Sequence, residues 1–331
     1  MASCYTDIMQ SLQAVSTDRD STCCELEAAP LWVNLIAKVT RRMPAGKYHV
    51  ICWFRRSRQK PFVARMPREL GGYTFQCFLR DNVATQVFFA GCYEAQESAF
   101  ARAVLRPGMS FVDVGANWGF FSLMAAHLVG TAGRIVALEP DPRAFLRLKA
   151  NVERNQLEQV QIFELAAADR NNNLVLALQH EAVLHYGTSK LVQDSSAAPT
   201  ICEVRSRALD SVLDEVGLES VDLIKIDVEG AEDMVLAGMQ AGLKRHRYRS
   251  IILELHPPQL AERHRTIGEV VDALLSNGYK GFGLDHSQVG QRRAGYHPQL
   301  HVREFIEPLE EAMADPWPHT AWLSPGQAEL I

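Results

Sequence analysis

The hydrophobic rhythm of the chain changes near Gly108. Downstream of it, short apolar runs alternate with stretches of helical period, the pattern of a parallel sheet covered on both faces. The runs predict strands at Phe111 to Val114, Ile135 to Leu138, Val160 to Glu164, Leu223 to Ile226, Ile251 to Leu255, Tyr279 to Leu284 and Thr320 to Leu323. Phe120 to Leu128 reads as a helix between the first two. Asp141 and Pro142 supply the cap and first residue of the next helix, with Phe145, Leu148 and Val152 as its buried stripe. Upstream, Phe75 to Leu79 and Val83 to Phe89 flank a polar turn at Arg80 to Asn82 and read as a β-hairpin. Leu31, Leu35, Ile36, Val39 and Met43 recur with helical spacing and predict the apolar stripe of a packing helix. Residues 1–30 are polar and without period, a loose arm or a short helix. The reading divides the chain into an N-terminal extension, residues 1–72, and an α/β domain, residues 73–331, that begins with the hairpin.

Composition narrows the class without naming a chemistry. The 331 residues are 47% hydrophobic and 22% charged with a formal charge of −5, the balance of a globular chain that can bury a core. No run approaches the roughly 18 apolar residues of a membrane span, so any membrane contact is expected to be peripheral. Net acidity argues against a nucleic-acid partner. Cys4, Cys23, Cys24, Cys52, Cys77, Cys92 and Cys202 are odd in number and lack metal-ligand spacing. With no charged-then-apolar leader ahead of them, they suggest a reduced, cytoplasmic protein. The charge is uneven: residues 41–68 hold nine Lys or Arg and no acid, which leaves −14 for the rest. Such a field suits an anionic substrate, a phosphate or a lipid headgroup, although a solvated basic surface is the plainer reading.

Phe111 to Gly119 is a strand entering a tight glycine turn, which in a doubly wound sheet lies at the carboxyl edge where ligands bind. Gly115 would let the backbone approach a ligand, and Gly119 would let the helix pack closely on the strand. The next strand ends in Glu139-Pro140, about 20 residues further on, where a carboxylate accepts hydrogen bonds from two ribose hydroxyls. A dinucleotide needs G-x-G-x-x-G, yet Asn117 and Phe120 occupy the second and third glycine positions. No Gly-Lys-Ser or Gly-Lys-Thr phosphate loop is present either. A nucleoside without a pyrophosphate remains, and S-adenosylmethionine fits, with its amino-acid tail near Asp113 and Gly115 and its ribose on Glu139.

Val112 to Gly119, Leu138-Glu139-Pro140, Asn151 to Asn155, Ala166 to Asp169, Leu209-Asp210 and Lys225 to Glu232 together resemble the FkbM family of S-adenosylmethionine-dependent methyltransferases. The resemblance spans roughly Phe75 to Leu323, and Asp-Val-Glu-Gly-Ala-Glu is its most diagnostic element. It implies a class I methyltransferase (Rossmann-like) fold, a seven-stranded, mostly parallel sheet with helices on both faces and its last strand antiparallel. It also implies methyl transfer to a hydroxyl of a sugar or small natural product. By the same resemblance Asp169 contacts the adenine amino group, Tyr93 and Glu94 close over the methionine end, and the turn Gly115, Ala116, Asn117, Gly119 and Phe120 cradles the cofactor beside Pro140.

Asp227, Glu229 and Glu232 follow the fourth core strand, three acids within six residues beside the expected reaction centre. Methyl transfer is in-line attack by an oxygen lone pair, so alignment does most of the work and a base takes the hydroxyl proton. Asp227 could orient the acceptor or the cofactor amine, and Glu229 could be the base. Glu232 reads as a helix-start acid. His256 is an alternative base, and Asp227, Glu254 and His256 are weak candidates for a metal site that would bind a diol. His180, His185, His264, His286, His297, His301 and His319 show no ligand-like grouping and read as surface or packing residues. Acceptor choice is expected in loops at His185 to Thr200 and Asp285 to His301, with a small-molecule or glycan hydroxyl, anionic if the basic segment faces the pocket, as acceptor. The first 47 residues are open to a lid or homodimer role. N-methylation and cofactor binding without turnover remain alternatives.

Overall fold

The computed structural model describes residues 26–44, 46–54, 60–178, 189–191, 200–297 and 301–327. Cys4, Cys23, Cys24, Arg55, Arg56, Arg58, His180, His185 and most of the expected 185–200 acceptor wall lie outside the described residues.

The main sheet is built from β3 (Ser110–Val114), β4 (Arg134–Leu138), β5 (Val160–Phe163), β10 (Leu223–Ile226), β11 (Ser250–Glu254), β12 (Lys280–Leu284), β13 (Ile306–Glu307) and β14 (His319–Leu323). Its order is β13-β12-β14-β11-β10-β3-β4-β5. The pairs from β11 through β10, β3 and β4 to β5 are parallel. β14 runs antiparallel between β11 and β12. This is the expected sheet with its reversed last strand, extended by β13 as a two-residue eighth strand at the edge. All seven strand predictions fall within about two residues of their observed limits.

Alternation divides the strands between two cores. Phe111, Ile135, Ala137, Leu223 and Ile252 join one cluster, and Val112, Val136, Ile224, Ile251 and Leu253 join the other. The first cluster runs on into the N-terminal segment through Val33, Ala37, Ile51, Phe54 and Phe62. A smaller sheet, in the order β6-β9-β7-β8, was not anticipated. It contains β6 (Ala166–Ala168), β7 (Asn172–Ala177), β8 (Lys190–Leu191) and β9 (Ile201–Ala208).

Three expectations are corrected. The hairpin pairs β1 (Phe62–Arg65) with β2 (Thr74–Cys77), while Asn82–Thr85 and Gln86–Ala90 are helical. Asp81 does not sit in a hairpin turn: its carboxylate caps Ala84 N at 3.0 Å and pairs with Arg147 at 2.7 Å. Val87, Phe88 and Phe89 are all buried, so their apolar run reports burial on every side rather than a strand. In α1 (Leu31–Arg41) the buried face is Val33, Ala37 and Thr40, and the stripe of Leu31, Leu35 and Val39 points outward. Residues 285–297 are also not a plain loop, because Ser287 caps a helix over Gln288–Tyr296. α2 (Lys47–Phe54) packs with α1 on the Gln86–Ala90 turn, and α3 (Ala95–Val104), α4 (Phe120–Val129) and α5 (Pro142–Arg154) follow.

The Asn151 to Asn155 segment stitches the N-terminal hairpin to this frame. Asn151 accepts from Gln76 N and donates to Trp118 O, both at 2.9 Å, while Asn155 accepts from Thr74 N at 2.9 Å and donates to Thr74 O at 2.7 Å. Asp210 is likewise a scaffold residue, accepting from Gly242 N at 2.9 Å and from the Tyr248 hydroxyl at 2.7 Å.

Candidate active site

Two cavities open along the carboxyl edge. The first, about 160 Å³, is lined by Gly115, Asn117, Glu139, Pro140, Asp227 and Glu229, with an apolar wall from Leu138, Leu165 to Ala167 and Leu176. The second, about 610 Å³, is lined by Tyr48, Glu94, Gln96, Glu254, His286 and His319 among others. Tyr93 lines both.

The glycine turn is shaped by close approach between strand ends. Gly115 has φ +82°, and a Cβ there would lie 1.8 Å from the Asp227 carbonyl oxygen. Its bare Cα therefore accommodates the fourth core strand as well as lining the cavity. Gly119, at φ +93°, would clash with Leu148 of α5 at 2.6 Å, so its packing partner is that helix rather than the strand. Asn117 is left-handed at φ 51° and accepts from Trp118 N at 2.8 Å, the local hydrogen bond that makes this conformation tolerable for Asn.

Glu139 reaches back to this turn. Its carboxylate accepts from Asn117 N at 2.7 Å and from Asp141 N at 2.8 Å. Burial, reinforced by nearby Asp141, pushes its carboxyl up to about 8. Asp113 is buried against Ser122 Oγ at 2.6 Å, and burial raises it to about 6. Asp113, Ala116, Gly119, Phe120, Glu94 and Asp169 are absent from the first cavity's lining, so the predicted cofactor set is only partly brought together there. Phe120 instead buttresses the Tyr93 ring edge-on at 5.6 Å, and Asp169 pairs with the exposed Arg170 at 2.9 Å.

The box after β10 surrounds a buried cation. Lys225 pairs in register with Asp113, and its Nζ lies 3.0 Å from Asp227, 3.3 Å from Glu94 and 4.6 Å from the centre of the Phe121 ring. Burial opposes its charge, yet Asp227, Glu94, Glu254 and Asp113 together hold its pKa well above the usual lysine value. Burial pushes Glu94 up to about 8 despite Lys225, and Glu229 up to about 7 despite His256. Glu94 at φ 39° and Glu229 at φ 52° are both left-handed non-glycine residues, a strain that proteins concentrate at functional positions.

Glu232 is more than a helix-start acid. It is fully buried, accepts from Gly230 N at 3.0 Å and meets His256 Nδ1 at 2.7 Å, while His256 Nε2 lies 3.5 Å from both Glu229 and Glu254. Burial opposes a charge on His256, but hydrogen bonds to Glu232 and Glu254 raise it to about 11. A second group, unread in the sequence, lies along the same edge. Glu97 on α3 is 2.7 Å from both His286 Nε2 and His319 Nδ1, and the two imidazoles stack at 3.5 Å with 2° between their planes. His319 faces Glu254 across the β11–β14 pair at 3.6 Å. Burial opposes its charge, but Glu254 and Glu97 raise it to about 9. Burial works to raise Glu97 and Glu254, but neighbouring imidazole and ammonium groups outweigh it and hold both below the carboxylate range: His286 and His319 for Glu97, His319, His256 and Lys225 for Glu254.

The metal trio read from sequence is divided. Asp227 groups with Glu229 and His256, or with Glu94 and Glu254, and Lys225 holds the latter group together. The Glu97, His286 and His319 group has ligand-like spacing, but two parallel rings at stacking distance cannot both hold one ion in their planes.

The family model of the methyltransferase FkbM domain matches residues 113–280, half of the chain. The chain belongs to the FkbM methyltransferase family. The match takes in the glycine turn, Glu139 and the Asp227 to Glu232 box. The chain is 28% identical over 186 residues to 2-O-methyltransferase NoeI of Sinorhizobium fredii, covering 52% of this chain and 73% of NoeI. It is 29% identical over 201 residues to 31-O-demethyl-FK506 methyltransferase FkbM of Streptomyces tacrolimicus, covering 53% and 74%. AMB antimetabolite synthetase AmbE of Pseudomonas aeruginosa is 30% identical over 210 residues, covering 54% of this chain and 10% of AmbE. The chain thus spans a tenth of that relative's length. Among the described residues no helix is long and apolar enough to cross a membrane.

Proposed function

We propose that this FkbM-family chain transfers a methyl group from S-adenosylmethionine to a hydroxyl of a polyhydroxylated small molecule or glycan. The observation that carries this reading is the pair of cavities meeting at Tyr93 on the carboxyl edge, one for the donor and one for the acceptor. The first cavity's donor set fits the cofactor: Glu139 offers a buried carboxylate to the ribose hydroxyls, and Leu138, Leu165 and Leu176 offer an apolar wall to the adenine. When bound, the cofactor supplies a methyl carbon activated by a sulfonium leaving group.

Asp227 and Glu229 line the same cavity as polar groups able to face the acceptor. Glu229, its carboxyl raised to about 7, would take the proton of the acceptor hydroxyl once the cofactor is bound. His256 is cationic at neutral pH, which favours Glu229 over it as base and makes the ring an orienting group for Glu229. Lys225 fixes Asp227, and Tyr93 separates donor from acceptor. The lining of the second cavity carries Glu94, Gln86, Gln96 and Gln291, and its cationic His319 is already matched by Glu254 and Glu97, which favours a neutral, hydroxyl-rich acceptor over an anionic one. The names of 2-O-methyltransferase NoeI and 31-O-demethyl-FK506 methyltransferase FkbM support transfer to oxygen.

Calorimetric titration with S-adenosylhomocysteine, with NADH as control, tests the donor site. Binding of the first alone is expected; binding of NADH alone would overturn the cofactor reading.

A further inference from the structure

α1 carries apolar residues on two sides. Val33 and Ala37 face the core, and outside it Leu31 is 89% exposed, Leu35 63% and Val39 58%. Positions 31, 32, 35 and 39 form one helical stripe, bordered by exposed Lys38 and Arg42. α2 extends the patch: Trp32 stacks on Phe54 at 6.2 Å, and Trp53, 67% exposed, meets the same ring edge-on at 4.7 Å. Five of the nine large hydrophobic side chains exposed among the described residues fall within residues 31–53, so the exposure is a patch and not scatter.

Charge selects what covers it. Residues 28–68 contain ten Lys or Arg and no acid, in a chain whose other residues sum to −15. A second copy docking through the same face would set the exposed Lys38 and Arg42 against their counterparts. Leu and Trp projecting from a helix edged by Lys and Arg is the composition of a segment that lies in the headgroup layer of an anionic bilayer. We propose that α1 and α2 form a docking face for an anionic lipid surface, with Leu31, Trp32, Leu35 and Trp53 entering the headgroup layer and Lys38 and Arg42 meeting lipid phosphates. The proposal is independent of the catalytic reading.

The test is sedimentation of the full chain with phosphatidylcholine vesicles, with and without phosphatidylglycerol. Partitioning is expected to be at least about tenfold stronger on the anionic vesicles and to weaken with salt. Leu35→Ser with Trp53→Ser, and separately Lys38→Gln with Arg42→Gln, should each lower it about tenfold, with the thermal unfolding midpoint unchanged as the control for folding. No partitioning, equal partitioning on neutral vesicles, or indifference to both double variants overturns the proposal. So does a solution dimer abolished by Leu35→Ser, which would assign the face to a second copy. Binding to polyglutamate as tight as to vesicles would assign it to an acidic protein instead.

Discussion

Along the carboxyl edge, buried and part-buried carboxylates are treated in opposite ways. Beside the first cavity, burial pushes Glu139 up to about 8 and Glu229 up to about 7. Along the same edge, Glu97 on α3 and Glu254 on β11 are held below the carboxylate range despite burial, by His286 and His319 around the first and by His319, His256 and Lys225 around the second. An acid held up has too little counter-charge to offset its burial and gains from a ligand's donors, whereas an acid held down already has its counter-charges and belongs to the frame; Glu94, raised to about 8 beside Lys225, stands between the two. The difference separates groups placed for chemistry from groups placed to hold them.

The sharpest way to break this distinction is to remove the cation between the two regions. Lys225→Met leaves Asp227 and Glu94 without their shared partner and should cost about 3–5 kcal/mol of stability, read by urea unfolding. A neutral outcome would mean that these acids protonate freely and that the knot is not a frame. Glu229→Gln should lower turnover about 10²–10⁴-fold while S-adenosylhomocysteine affinity stays near that of the parent chain, as general-base loss requires. Equal turnover would move Glu229 to the supporting side. Glu139→Ala should weaken S-adenosylhomocysteine by about 1.5–3 kcal/mol in calorimetry through loss of the buried acceptor for the ribose hydroxyls; unchanged affinity would take Glu139 out of the donor site.

The smallest effect concerns the held-down side. His319 has its pKa raised from 6.5 to about 9, so the fold binds its proton more tightly than the unfolded chain does. That contribution is complete below about pH 6.5 and is lost as pH rises through about 9. His319→Gln should therefore flatten the fall in stability between those limits, measured by unfolding midpoints across the range. An unaltered slope would show that His319 is neutral in the fold.

What the sequence revealed tracks how local each signal is. The glycine turn, Glu139 and the Asp227 to Glu232 box each lie within one strand-to-helix connection, so spacing alone places them at the carboxyl edge. Glu97, His286 and His319 come from three separate stretches of chain, and only the cross-strand register of β11 with β14 brings His319 to Glu254. Lys225 lay in a quoted motif, yet nothing in a lone lysine between two isoleucines says that it is buried among acids. β9 carried a readable signal: Cys202, Val204 and Ser206 alternate with Glu203, Arg205 and Arg207, the period of a half-buried strand. The α1 stripe was read correctly as apolar and assigned to the wrong side, because periodicity identifies a hydrophobic face and not what covers it.

Asn151 on α5 and Asn155 at its C-cap also guard a strand edge. β2 pairs with β1 on one side only, and its other side would offer free amide and carbonyl groups to any passing strand. Asn151 and Asn155 occupy the Thr74 amide and carbonyl and the Gln76 amide with side-chain groups that mimic a neighbouring backbone. They act as a stopper on the open margin of the ribbon, so replacing both with alanine would leave a template for chain-to-chain aggregation where the native molecule presents none.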